Sequence, residues 1–260
     1  MPELLEVEYY RRLAEGTVGR RIAAVDAPDA WYLQGGVDAG QLAALLPGAV
    51  VAGTRRRGKL LVIDLDGAPA LGLRFGMAGR LLVDGSAAIE KLEYASGRDE
   101  PAWERFRLYF DGGGSLVVVD PRRLGGVSLD PTFDGLGPEA ATLTLGQLRR
   151  ALERSGAPLK ARLLDQHRIA GLGNLLTDEI LWRARLDPNR PAGALGDAEL
   201  RRLQRVVRST VGELDTRGGS HTGDLYGARV RGGRCPRCGA GLTRAQVGGR
   251  TTFWCPAEQR

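Results

Sequence analysis

"HRIAGLGNLLTDEILWRAR", residues 167–185, is the stretch on which the fold turns. Gly171 and Gly173 interrupt the chain, and Leu175, Leu176, Ile180 and Leu181 follow at helical spacing. A glycine-rich turn that opens directly into a helix leaves backbone N–H groups and the positive end of the helix dipole facing one point, where a phosphate fits. Asn174, at the helix start, adds a side-chain amide. Alone, such a turn is also a common plain connection. The preceding run "PLKARLLDQ" (158–166) reads as a helix too, so the pair forms a helical hairpin around a phosphate-sized cavity.

Outward from this hairpin the helical texture continues. "TLGQLRRALERSG" (144–156) and "DAELRRLQRVVRSTVGELD" (197–215) are amphipathic, with Thr144 and Asp197 as N-caps. Before residue 130 the texture is different. After a first helix in "PELLEVEYYRRLAEG" (2–16) and a short second one in "DAGQLAALLPG" (38–48), the runs "KLLVIDLDG", "ALGLRF", "GRLLVDG" and "RFRLYFDGGGSLVVVD" are short and β-rich, the last a hairpin around its glycines. Such a half predicts a sandwich or barrel. The expected class is α+β, with divisions at 1–130, 131–223 and 224–260.

The tail holds all three cysteines. In "CPRCGAGLTRAQVGGRTTFWCPAE" Cys235 and Cys238 stand two residues apart, and sixteen more precede Cys255. A CxxC pair facing a second such pair across a hairpin is zinc-ribbon geometry, but the fourth ligand position holds Glu258. The alternative is a hairpin held without metal by Val247, Phe253 and Trp254. Lys59, after three arginines in "RRRGKLLVIDL", is either a phosphate or proton-donor lysine or a solvated charge at a strand edge. Met77 in "FGMAGRLL" and Arg122 and Leu124 in "DPRRLGG" are either wedges for a duplex with an extruded base, or, for the two apolar ones, core.

The net charge of +6 suits a polyanionic partner, although only Lys59, Lys91 and Lys160 of the 37 basic residues are lysine, as a GC-rich coding bias would produce. No apolar run approaches the roughly 20 residues of a membrane span, and "MPELLEVEYYRR" has acids where a signal peptide needs basic and apolar residues. A cytoplasmic, nucleoid-associated, bacterial-type monomer is the expectation.

In order along the chain, "PEL·EVE", "RRGK", "GMAG", "DPRR·G", "GLGPE", "AGLGN··TDEIL·RAR" and "CPRC…GRTTFWCP" resemble the formamidopyrimidine-DNA glycosylase and endonuclease VIII family of base-excision repair enzymes. The resemblance implies an amino-terminal β-sandwich with a catalytic helix, a helix–two-turn–helix domain and a zinc-finger hairpin, acting on damaged double-stranded DNA. It implies that Pro2, once Met1 is removed, attacks the anomeric carbon of the damaged nucleotide, and that Glu3 is its acid–base partner. It further implies that Lys59 and Arg250 act at the scissile phosphates, that Lys160 and Asn174 grip phosphate, and that Glu6 steadies the site. Met77, Arg122 and Leu124 fill the space of the extruded base. One structural zinc is expected on Cys235, Cys238, Cys255 and Glu258.

Four departures qualify this. Leu5 replaces a second proline, Leu124 replaces a phenylalanine, and Glu258 replaces a cysteine. The stretch "GGSHTGDLYGARVRGGRC" (218–235) is shorter than the segment that caps a flipped purine in the formamidopyrimidine branch, and its "TGD" is closer to endonuclease VIII. Besides a bifunctional glycosylase and abasic-site lyase, a lesion-binding homologue with lost or redirected excision therefore stays open.

Overall fold

In the computed structural model, which describes residues 2–89, 92 and 100–260, the first apolar run becomes helix α1 (Leu4–Glu15). Val7, Tyr10 and Ala14 recur every three or four residues and are buried on one face, while Gly16 ends the helix. Strand β1 (Ile22–Asp26) and helix α2 (Ala39–Leu45) follow, α2 being capped by Asp38, whose Oδ1 accepts from Gln41 N at 2.8 Å.

The remaining strands of this half are β2 (Val50–Arg57), β3 (Leu60–Asp66), β4 (Leu71–Arg74), β5 (Arg80–Val83), β6 (Ser86–Ala87), β7 (Glu104–Phe110), β8 (Ser115–Val119) and β9 (Gly126–Leu129). They form two antiparallel sheets, ordered β1-β7-β8-β5-β6 and β2-β3-β4-β9. Along β7, Phe106, Leu108 and Phe110 are buried while Arg105, Arg107 and Tyr109 are not, the period-two pattern of a half-covered sheet. One core contains Leu61, Ile63 and Leu73 from one sheet, Phe106, Leu108 and Val118 from the other, and Val7 and Tyr10 from α1, which makes the pair a sandwich. The expected hairpin joins β7 to β8, its turn running through Gly112, Gly113 and Gly114, all at positive φ.

The second half carries α3 (Leu145–Leu152), α4 (Leu159–Leu164), α5 (Asn174–Ala184), α6 (Asp197–Arg217) and the hairpin β10 (Thr243–Val247)–β11 (Arg250–Trp254). Thr144 caps α3 as expected, accepting from Gln147 N. Asp197 does not cap α6. Gly196 occupies that position, its N–H bonded to Glu199 Oε2 at 2.9 Å, while Asp197 has entered the first turn and pairs with Arg149.

Between α4 and α5, the Gln166 amide donates to the carbonyls of Leu164 and Leu172 and accepts from Gly171 N, which replaces the backbone ladder of a helix through the two turns. Gly171 sits at φ +104, a conformation that favours glycine. All of α5 except Arg183 is buried, and it packs on both α6 and β11. The chain divides into two compact units, residues 1–133 and 134–260, the second including helices and hairpin together. Among the described residues no helix is long and apolar enough to cross a membrane.

Candidate active site and metal centre

The expected site residues fall into two sets, one on each unit. In the first unit everything is arranged about the start of α1. Pro2 is buried directly before the helix, and Glu3 and Glu6 are 0% and 1% exposed. Glu6 Oε2 accepts from the Glu3 backbone N–H at 2.8 Å, the return half of a capping box. That bond fixes the plane of the Pro2–Glu3 peptide, so an acid that could have been surface charge instead orients the residue before it.

Three loops are tied to this helix. Arg56 bonds Glu8 of α1 at 3.0 Å and the carbonyl of Gly58 at 2.8 Å, which holds the β2–β3 turn against the helix; Lys59, half-buried, is the second residue of that turn. The Tyr10 hydroxyl donates to Gly79 O at 3.1 Å, and its ring meets Phe75 at 4.6 Å, bracketing the loop that carries half-buried Met77. Burial first, then the charge of Glu6, raises the Tyr10 hydroxyl far above its ordinary pKa, so it stays a donor. The third loop, residues 120–125, packs on the second at Gly76, where an added Cβ would lie 2.4 Å from the Leu124 carbonyl carbon. Only glycine allows this approach, and through it the Met77 and Leu124 loops become one surface.

Asp120 organises the third loop from inside. Its buried carboxylate accepts from the N–H groups of Arg122, Leu124 and Gly125 at 2.9–3.0 Å, which turns the chain so that Leu124 is 52% exposed. Leu124 is thus not core. Arg123 adopts φ +55, unfavourable for a side chain with a Cβ, and is held there by two bonds of 2.6 and 2.7 Å to Asp29. The Arg123 guanidinium in turn keeps the Asp29 carboxyl below its ordinary range.

In the second unit Asn174 is the first residue of α5 and Arg250 the first of β11, exposed just after a turn in which Gly248 and Gly249 both have positive φ. Asn174 Nδ2 donates to Thr251 O at 3.1 Å, leaving its buried Oδ1 without a partner among the described residues. Lys160, expected at a phosphate, lies inside the second unit. It is 0% exposed, and its ammonium donates to Asp178 Oδ1 at 2.6 Å, Thr252 Oγ1 at 2.8 Å and Thr251 O at 3.3 Å. Turned inward in this way, it clamps β11 to the helices.

Asp178, not singled out from sequence, is the hub of that clamp. Arg229 bonds its other oxygen at 3.0 Å, and Phe253 N donates to the same oxygen at 3.3 Å. Burial raises the Asp178 carboxyl, and Lys160 and Arg229 pull it back towards ionisation. Glu179 beside it accepts from the backbone N–H groups of Asp224 and Leu225, and an added Cβ on Gly223 would lie 2.6 Å from its Oε2. The "TGD" segment is therefore pinned on α5. The signal was available: two acids in an otherwise apolar, buried helix must find partners.

The ligand atoms of Cys235, Cys238 and Cys255 lie within 4.8 Å of one another, a donor set that can hold a metal ion. Against the burial that raises it, the Trp182 indole N–H at 3.3 Å and the backbone amides of Cys238 and Arg237 bring the Cys235 thiol down to about 7. Burial and Cys238 push Cys255 up to about 11. Glu258 is not the fourth member of the group. Its carboxylate bonds Arg237 at 2.8 Å and approaches Arg185 at 3.5 Å, and these two cations hold it out of the thiol cluster.

Two family models match, the formamidopyrimidine-DNA glycosylase N-terminal domain over residues 1–127 and the formamidopyrimidine-DNA glycosylase H2TH domain over residues 135–223. The chain is 34% identical to a formamidopyrimidine-DNA glycosylase of Cereibacter sphaeroides, with both chains covered completely. It is 33% identical to one of Chloroflexus aurantiacus, over 100% of this chain and 98% of that one. Among solved structures, Lactococcus lactis Fpg (MutM) in complex with DNA containing N7-benzyl-Fapy-dG aligns with a TM-score of 0.84 at 27% identity over the whole of both chains. The same enzyme with abasic-site DNA aligns with a TM-score of 0.83 at 27% identity, over 99% of each chain. These relatives carry the formamidopyrimidine name, whereas the "TGD" stretch had pointed to the endonuclease VIII side.

Proposed function

Because the chain belongs to the formamidopyrimidine-DNA glycosylase family, whose members are DNA glycosylases of base-excision repair, we propose that it excises damaged bases from duplex DNA and then cleaves the abasic strand through a Schiff base on Pro2. The observation that carries this reading is the buried Pro2–Glu3 pair at the head of α1, pinned by Glu6.

Removal of Met1 gives Pro2 a secondary amine. That amine attacks C1′ of the damaged nucleotide; the glycosidic bond breaks, and the base leaves with the bonding pair and takes up a proton. Glu3 protonates the ring oxygen as the sugar opens, and the nitrogen becomes an iminium. The iminium draws electrons as the 2′ proton is lost, expelling the 3′-phosphate, and again as the 4′ proton is lost, expelling the 5′-phosphate; water then hydrolyses the iminium and frees Pro2. The α-amino group's ordinary pKa, roughly 7.7–8, leaves a useful neutral fraction near pH 7. Lys59 and Arg250 balance phosphate charge, Asn174 stands at the phosphate-binding helix start, and Lys160 acts through the clamp on β11. Met77, Arg122 and Leu124 enter the duplex in place of the flipped nucleotide.

The direct test is borohydride trapping on defined lesion duplexes, with base release and strand cleavage scored separately. Wild type should form a covalent adduct on an abasic duplex, and Pro2→Gly much less. Equal trapping by both removes the Pro2 mechanism, and tight lesion binding with neither release nor cleavage leaves the lesion-binding alternative.

The ion is zinc in this reading, held by the three thiolates, and its task is to close the base of the hairpin. Elemental analysis should find about one zinc per chain. Cys255→Ser should lose the ion, and Glu258→Ala should keep it. Equal loss in both would return Glu258 to the ligand set.

A further inference from the structure

Trp31 is the most exposed large apolar side chain of the described residues, at 76%. It stands on a single turn, Ala30–Tyr32, that is stitched along its length to the loop presenting Leu124. Trp31 N and Arg123 Nη2 both donate to Asp29 Oδ1. The Tyr32 hydroxyl donates to Arg74 O, and Gln34 Nε2 donates to Gly125 O at 3.2 Å. An added Cβ on Gly125 would lie 2.1 Å from the Tyr32 hydroxyl, so the two segments meet with no room between them. Within the same unit Asp29 also receives Arg105 at 3.4 Å, and Arg122 is exposed on the Leu124 loop, so arginines stand on the segment packed against this turn.

Leaving a tryptophan in water forgoes the burial of a large apolar surface, and aromatic residues set among arginines are the stacking platforms of nucleic-acid sites. A leucine wedge has no flat face on which a base can stack. We propose that Trp31 is a second duplex contact beside Leu124, stacking on a base or sugar of the strand opposite the lesion and supplying the aromatic surface that Leu124 lacks. This rests on the glycosylase reading and adds a determinant of opposite-strand recognition to it.

The test compares wild type, Trp31→Ala and Trp31→Phe for binding to an abasic-site duplex and to the same abasic strand unpaired. Trp31→Ala should bind the duplex roughly 10-fold more weakly, the worth of one base–aromatic stack, while Trp31→Phe recovers most of the loss. The three proteins should bind the unpaired strand equally, and the duplex deficit of Trp31→Ala should vary with the base placed opposite the site. Equal duplex binding by wild type and Trp31→Ala overturns the proposal, as does an equal deficit on duplex and single strand. Failure of wild type itself to bind either DNA would sink the glycosylase reading instead, and is distinguishable on that ground.

Discussion

Glu3→Gln is expected to slow base release by roughly 10²–10⁴-fold, the usual worth of a positioned general acid. The substitution keeps the side chain's size and its ability to accept a hydrogen bond in the capping box, so α1 should start where it does now. What it removes is the proton. Glu3 is 0% exposed, so solvent has poor access to replace that proton from bulk. Single-turnover release of the damaged base isolates the step, and a preformed abasic duplex tests the elimination chemistry without it. Cleavage of the abasic duplex should suffer less than base release, because the sugar there is already partly open-chain. An unchanged melting temperature with base release within threefold of wild type would show that Glu3 is only a helix cap.

Asp178→Ala should cost the second unit about 3–5 kcal/mol, the largest stability effect expected of a single substitution there. The loss comes less from the bonds removed than from what is left behind. Lys160, 0% exposed, would lose the carboxylate that its buried ammonium bonds, Arg229 would lose its bonds to the same group, and the Phe253 N–H would lose its partner. Urea unfolding followed by tryptophan fluorescence reads the change, since Trp182 lies on α5 against the cysteine cluster. Asp178→Asn should be nearly as damaging, because it removes the charge while keeping the shape. The double variant Lys160→Met, Asp178→Leu should recover much of the loss, since an apolar pair carries no desolvation cost. A single Asp178→Ala variant within 1 kcal/mol of wild type would mean that water or rearrangement already compensates the site. Arg250 directly precedes the clamped residues Thr251 and Thr252 in β11, so a loosened hairpin should also lower strand cleavage.

Much of the molecule was legible in one dimension. The short strands, the turn at Gly112–Gly114, the capped α3 and the α4–α5 hairpin come from local periodicity and turn chemistry, which act within a few residues of chain. The family followed from seven motifs in order, and the three cysteines from their spacing alone. What the local sequence leaves open are the partners that come from far away along the chain. Glu258 has the position of a ligand, and its carboxylate pairs with Arg237 and Arg185. Lys160 has the charge of a phosphate contact, and its ammonium donates to Asp178, Thr251 and Thr252.

By itself, then, the sequence determined which elements form, in what order, and which residue types are available for chemistry, since each of these is set by neighbours along the chain. Only the tertiary structure decided which charges face inward and which side chains stand out: Lys160 and Asp178 buried as a pair, Leu124 and Trp31 exposed on adjoining segments. The physical reason is that burial and electrostatic pairing are properties of a place in the fold. The partner that wins a charged or apolar side chain is whichever group the packing brings within about 3–4 Å, whatever its distance along the chain.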